Sequence, residues 1–331
     1  MQGFEQIIGH EGIIQHLQNA IMSNMVSHAY IFDGEEGAGK KLLAAAFAKT
    51  LQCEEKGVLS CNRCKSCMQA DTSNQPDIIW VTHEKNSIGV DDIRLQVNSD
   101  IQVKPYNSTY KIYIIDDADR LTEQAQNALL KTIEEPPEYA VIILLTSNTS
   151  VILPTILSRC VTLSLKPVDK QAIKEYLMAH HQTPDYMAEV AAAFSGGNVG
   201  KAIKYASSEE FGKMKENVLH ILKYIDEMEI YEVVSGLKFL TADKNNIEDY
   251  IDLMVLWYRD VLMFKATMDP DLLLYRDELT FIKKQASIRS YEGVDKIIQA
   301  MDKAKIRLEA NVNFDIAIEL MLLTIKENSN G

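Results

Sequence analysis

Glycine and proline are scarce in the 331-residue chain, at 15 and 8, which leaves little material for long disordered linkers. No apolar run approaches the ~18 residues of a membrane-spanning helix. Met1 to His10 lacks the basic start and apolar segment of a secretory signal, so a cytoplasmic protein with no membrane partner is expected. Cations are in deficit: 34 Lys and Arg against 47 Asp and Glu leave a net charge of −13. Phosphate backbones are bound by neutralising Lys and Arg. This chain is therefore poorly suited to grip DNA alone unless its basic residues cluster. Hydrophobic residues at 47% and charged residues at 24% describe an ordinary globular protein, and the length predicts two or three domains.

Ala29–Phe32, Ile78–Val81, Lys111–Ile115, Ala140–Leu145 and Val161–Leu165 read as strands. They are apolar on successive positions, as in strands covered on both faces. Helical patterns lie between them, over Lys41–Leu51, Asp91–Ile101, Thr122–Ile133 and Pro154–Leu157, and Pro136-Pro137 stops the third. Such alternation predicts a parallel α/β sheet. After Pro167 the strands disappear. Short helices over Val168–His181, Tyr186–Ser195 and Val199–Ala206 precede longer ones, among them Met214–Glu229, Ile230–Leu240, Ile247–Met268, Ser290–Glu309 and Asn313–Lys326. Three domains are expected: an α/β domain over 1–166, a small helical domain over 167–207 and a larger helical domain over 208–331.

Gly34-Glu35-Glu36-Gly37-Ala38-Gly39-Lys40-Lys41 follows the first strand and opens a helix, the context a phosphate-binding loop requires. Gly34, Gly37 and Gly39 let backbone N–H groups turn towards phosphate oxygens, the helix N-terminus adds favourable partial charge, and Lys40 reaches the terminal phosphates. Position 41 should carry the Ser or Thr hydroxyl that binds Mg²⁺, and it is Lys. ATP or ADP binding by this loop is therefore in doubt, and a plain strand–turn–helix connection is the competing reading. The third strand runs out into Asp116-Asp117-Ala118-Asp119. Asp116 would orient Mg²⁺ and the next residue would polarise the attacking water. That residue is usually Glu in ATPases of this type; Asp117 is one methylene shorter.

Four of the five Cys cluster: Cys53, Cys61, Cys64 and Cys67, in a polar stretch over about 52–70. Cytosolic thiols do not favour disulfides, and four thiolates satisfy tetrahedral Zn²⁺. An iron–sulfur cluster also takes four Cys, but its typical spacings differ. Four thiolates leave no open position, so a zinc here would be structural. Ser158-Arg159-Cys160 lies beside the fifth strand. A guanidinium at the rim of such a domain is suited to bridge phosphates of a neighbour's nucleotide; a surface Arg paired with a carboxylate is the plainer alternative.

Taken in order, Gly34–Lys41, the four Cys, Asp116–Asp119, Ser147-Asn148 and Ser158–Cys160 resemble the bacterial clamp-loader group of AAA+ proteins over nearly the whole chain. The resemblance implies α/β plus all-α architecture: an AAA+ five-stranded parallel sheet with a zinc module, a helical lid and a C-terminal helical collar that holds a ring together. It places Asn148 at a polar sensing position and makes Arg159 an arginine finger acting in trans. Gly200 stands where motor subunits carry a nucleotide-sensing Arg. With Lys41 and Asp117, this implies a non-hydrolysing stator working beside gamma/tau motor subunits and a delta subunit. The sliding clamp and primer-template DNA would be met through the complex, during ATP-dependent clamp loading in DNA replication. The alternatives are an ATP-hydrolysing gamma/tau-type motor and a zinc-dependent nucleic-acid-binding module unconnected to replication.

Overall fold

The computed structural model describes residues 3–83, 87–229, 232, 247–310 and 312–328. These form two compact units. One comprises Met1–Ile173 with Gly197–Lys201, the other Lys174–Gly196 with Ala202–Gly331.

In the first unit, strands β1 (Ala29–Asp33), β2 (Ile78–Val81), β3 (Lys111–Ile115), β4 (Ala140–Thr146) and β5 (Val161–Ser164) form one sheet in the order β2-β3-β4-β1-β5. All pairings are parallel. The helices are α1 (Glu11–Met22), α2 (Lys40–Leu51), α3 (Lys65–Asp71), α4 (Val90–Ile93), α5 (Glu123–Glu134) and α6 (Pro154–Leu157). Successive strand residues point to opposite faces. Tyr30, Phe32, Ile112 and Ile114 therefore pack with Leu43, Phe47 and Leu51 of α2. Ala29, Ile31, Tyr113 and Ile115 pack with Ala125, Leu129 and Ile133 of α5. Because both faces are covered, β4 is buried along its whole length and reads as an unbroken apolar run. Each fully buried Leu, Ile or Phe contributes about 1.5–3 kcal/mol.

The five expected strands stand where the sequence placed them, to within a residue at their ends. The helix expected over Asp91–Ile101 is instead the single turn α4 followed by a π-helical stretch, Arg94–Asn98. Helix α5 starts where Thr122 accepts the Ala125 N–H on its hydroxyl.

The sheet order fixes the site. β1 lies between β4 and β5, and β3 on the far side of β4, with Asp33 opposite Thr146 and Ile115 opposite Leu144. The carboxyl ends of β1, β3 and β4 thus converge on one edge, where open α/β sheets bind ligands.

The second unit is helical throughout its described residues. Helix α7 (Lys170–His181) starts in the first unit, and α8 (Asp185–Phe194) and α9 (Val199–Ser207) follow. Next come α10 (Glu209–Tyr224), α11 (Ile247–Thr267), α12 (Leu279–Ile288), α13 (Tyr291–Glu309) and α14 (Phe314–Glu327). Helix α10 begins five residues ahead of the expected Met214, because Ser208 caps it by accepting the Phe211 N–H at 3.2 Å. The expected helix Ile230–Leu240 lies outside the described residues apart from Glu232. Asn313 caps α14 by accepting the Ile316 N–H on its side chain. Two buried polar side chains pair with each other and with backbone: Trp257 Nε1 donates to Gln285 Oε1 at 2.9 Å, and Gln285 Nε2 to the Leu222 carbonyl at 2.6 Å. Arg289, fully buried, forms a two-pronged pair with Asp226 at 2.5 and 3.1 Å.

Candidate functional site

The loop between β1 and α2 needs glycine at two places. Gly37 and Gly39 have φ of +85° and +98°, in the left-handed region that L side chains rarely adopt. The loop's carbonyls are taken up by neighbouring donors. Lys40 Nζ donates to the carbonyls of Gly34 and, at 2.9 Å, Glu35. Asn198 Nδ2 donates to the Glu36 carbonyl at 2.7 Å, Gly200 N–H to the Gly37 carbonyl at 3.0 Å, and His10 Nε2 contacts the Ala38 carbonyl at 3.2 Å. The first-turn N–H groups of α2 have no intrahelical acceptor. The residues that carry them, Lys40, Lys41 and Leu42, line a cleft of about 460 Å³.

Gly37, Gly39, Lys40, Lys41, Asp116, Asp117, Asp119, Arg120 and Ser147 line that cleft. Lys41 Nζ lies 2.5 Å from Asp116 Oδ2. Hydrogen bonding to Asp116 holds the Lys41 ammonium above its usual pKa, whereas burial lowers that of Lys40 against the pull of Asp119, Asp116 and Asp117. Asp117 occupies a left-handed backbone position and faces Arg120 at 3.7 Å. Asp119 Oδ1 accepts from the Ser147 N–H at 3.2 Å and the Thr146 hydroxyl at 3.3 Å, joining the ends of β3 and β4. Asn148 turns the other way: its Oδ1 accepts the Ser150 N–H at 3.0 Å and hydroxyl at 2.6 Å, and it does not line the cleft. Arg120 and His10 are additions that the sequence did not single out. A cation directly after an acidic run was the available signal for Arg120; His10, 28 residues from its partner, gave none.

Residues 197–201 close on the loop from outside. A Cβ on Gly200 would lie 2.7 Å from Gly37 Cα and 2.8 Å from the Gly37 oxygen, so backbone meets backbone there. Lys201 faces Glu35 at 3.5 Å.

The four clustered Cys come together as expected. Their Sγ atoms all lie within 4.8 Å of one another, and those of Cys61 and Cys67 are 4.0 Å apart. A tetrahedron with Zn–S bonds of about 2.3 Å has edges near ~3.8 Å, so the set fits one zinc ion with little adjustment. Backbone N–H groups of Cys61, Cys64 and Cys67 point at the sulfurs of Cys53, Cys61 and Cys64 at 3.3–3.4 Å, which suits thiolate acceptors. Bonds from the Arg63 and Cys64 N–H groups bring the Cys61 thiol down to about 7, while burial raises those of Cys53 and Cys67. Gln75, buried, links the module to the sheet by donating to Ser66 Oγ at 3.0 Å and Ser108 Oγ at 3.3 Å.

Arg159 lies at the end of α6, exposed, away from this cleft. It meets Glu134 at 3.0 Å and donates to the Thr155 carbonyl at 3.0 Å and Ser158 Oγ at 3.2 Å.

Residues 9–169 match the protein family described as DNA polymerase III, delta subunit, and residues 210–327 match DNA polymerase III, delta subunit, C terminal. The DNA polymerase III subunit delta' of Bacillus subtilis (strain 168) is 30% identical over 318 residues, covering 95% of this chain and 95% of that protein. The tau subunit of the same organism is 29% identical over 344 residues, covering 96% of this chain and 61% of the relative. Among solved structures, a gamma-subunit-related DNA polymerase III protein from Thermotoga maritima is similar over 96% of this chain and 99% of its own, at 20% identity and a TM-score of 0.41.

Proposed function

Because this chain belongs to the delta-prime subunit family of the DNA polymerase III clamp loader, we propose that it works there as a non-hydrolysing stator. The observation that carries the proposal is the Lys41–Asp116 ion pair. In a working phosphate loop a hydroxyl at position 41 and a carboxylate at 116 hold Mg²⁺ between them. An ammonium cannot coordinate a cation, and here it takes up the carboxylate instead. Asp117 faces Arg120 in place of a water, and Gly200 offers no cation to a phosphate. Relatives named tau would favour a hydrolysing motor, but position 41 has no hydroxyl, and the hydroxyl of Ser147, which lines the cleft, is turned to Asp119 Oδ1 at 3.5 Å.

Arg159 then acts on the neighbouring motor subunit's ATP. Its present partner does not hold it: an exposed pair such as Arg159–Glu134 is worth about 0–1 kcal/mol, so it parts at small cost when a phosphate is offered. Residues 167–207 serve as the lid and 208–331 as the collar through which gamma/tau and delta subunits are met. The sliding clamp and primed DNA are engaged through the complex. Zinc, held by Cys53, Cys61, Cys64 and Cys67, keeps the 52–70 module folded and takes no part in chemistry.

The test is Arg159→Ala in the reconstituted complex. Assembly is expected to survive and DNA-stimulated ATP turnover to slow, since arginine fingers contribute roughly 10³–10⁵ in rate at the site they serve. Turnover equal to that of the unsubstituted complex would refute the trans-acting role.

A further inference from the structure

We propose that the groove between α13 and α14 receives an acidic amphipathic helix of a neighbouring clamp-loader subunit. The inference rests on the collar reading of residues 208–331, and it names the face and the chemistry by which that domain takes hold of a partner.

Three observations carry it. The first is charge. The groove has a volume of about 280 Å³ and is walled by Lys303 and Arg307 of α13 and by Leu320, Met321 and Thr324 of α14, with no carboxylate among the described residues that line it. The chain has a net charge of −13, so its cations have carboxylates to choose from. Lys305, on the same helix, pairs with Asp252 of α11, and Lys296, at the other end of the groove, pairs with Glu292 at 2.8 Å. Lys303 and Arg307 form no ion pair or side-chain hydrogen bond among the described residues. The second is apolar surface. Ile316 and Leu320, one turn apart on α14, are 54% and 45% exposed, and Ile306 on α13 is 63% exposed. Ile306 follows Gln299 by seven residues, or two helical turns, so it shares the face of α13 that lines the groove. Single exposed apolar side chains are ordinary, but a row of them along a groove marks an interaction surface. The third is register. Lys303 and Arg307 are four residues apart, about 6 Å along the helix, and so are Ile316 and Leu320.

These features select the occupant. A helix laid in the groove repeats its side chains at the same interval, so carboxylates at i and i+4 meet the two cations while the adjoining apolar stripe covers Ile316 and Leu320. A third helix seats its ridges in the groove between two others. An extended segment would set its backbone N–H and C=O groups against side chains and leave them unpaired, whereas a helix satisfies its own. A nucleic-acid backbone would meet two cations and bury none of the three apolar side chains. A second copy of this chain brings its own net charge of −13 and is repelled.

The experiment measures binding of the full chain to purified gamma/tau and delta subunits by sedimentation velocity and biolayer interferometry. Leu320→Asp, at an exposed position, and the pair Lys303→Glu with Arg307→Glu should each weaken assembly by about tenfold or more. The pair Lys213→Glu with Lys283→Glu makes the same change in net charge at exposed cations outside the groove, and should stay within about twofold of the unsubstituted chain because solvent and salt screen it. Circular dichroism and an unchanged unfolding midpoint confirm that each variant is folded. A photo-reactive benzoylphenylalanine introduced at Thr324 should cross-link, in the complex assembled on primed DNA, to an Asp- or Glu-bearing helix of a gamma/tau or delta subunit. Groove variants that assemble as tightly as the unsubstituted chain, or control variants that weaken it equally, overturn the proposal and leave the collar reading standing. Cross-links to DNA, to a second copy of this chain or to a segment without Asp or Glu overturn it as well. An unsubstituted chain that binds none of these subunits refutes the collar reading, and this inference with it.

Discussion

Gly200→Ala tests whether residues 197–201 are truly seated on the phosphate loop. Gly200 lies in the first turn of α9 without positive φ, so alanine suits its backbone. Helix propensity alone would gain up to about 1 kcal/mol. The added methyl, however, would sit 2.7 Å from Gly37 Cα and 2.8 Å from its oxygen. Both are backbone atoms, which cannot swing aside as a side-chain tip does. Overpacking of this kind costs about 1–3 kcal/mol. Displacing the helix also loses the 3.0 Å bond from Gly200 N–H to Gly37, worth about 1 kcal/mol. The net is a loss of about 1–3 kcal/mol. Gly212, inside α10, is the control, because a Cβ there meets nothing within 4 Å. Gly212→Ala should therefore stabilise by up to about 1 kcal/mol. In thermal unfolding, at about 2–4 °C per kcal/mol, the first substitution lowers the midpoint by several degrees and the second raises it. Two substitutions moving the midpoint upward together would refute the seating. The same contact explains why an arginine at position 200 cannot simply be added: its Cβ would collide with the loop it was meant to assist.

Further expectations follow from the other sites. The purified, reduced protein should carry one zinc per chain by elemental analysis. Its removal by a chelator should open residues 52–70 to trypsin at Lys56, Arg63 and Lys65 while the sheet keeps its hydrogen-exchange protection; iron in place of zinc would contradict this. Asp226→Ala strands the buried Arg289 cation and should cost about 3–5 kcal/mol in urea denaturation. The paired change Asp226→Leu with Arg289→Met should recover most of that, and no recovery would show that the pair does more than neutralise charge. Arg159→Ala in the isolated chain should shift stability by less than about 1 kcal/mol, as its partner Glu134 is also exposed.

Much of this protein is legible without coordinates. Strands covered on both faces must be continuously apolar, so β1 to β4 announce themselves. The glycines of the phosphate loop and the four Cys are tied to local geometry and to metal-ligand chemistry that short spacing records. Lys41 declares from sequence alone that the usual metal ligand is gone. Helix α1, with Ile13, Ile14, Leu17 and Ile21 on one side, carried a readable pattern that the strand signals overshadowed. The break of Asp91–Ile101 into α4 and a π-helical stretch had no such pattern, because where a helix changes pitch depends on what it packs against.

Position in space was decided elsewhere. That Lys41 ends on Asp116, that Asp119 ties β3 to β4, and that Asn148 turns to Ser150 rather than into the cleft all depend on which strand ends the sheet order brings side by side. Contacts between residues 10 and 38, or 200 and 37, cross long stretches of chain and leave no periodicity behind. Sequence determined the local chemistry, since turn conformation and ligand spacing are properties of neighbouring residues. Tertiary structure decided what each charged group faces, since that depends on strand order and on the return of a segment more than 150 residues downstream.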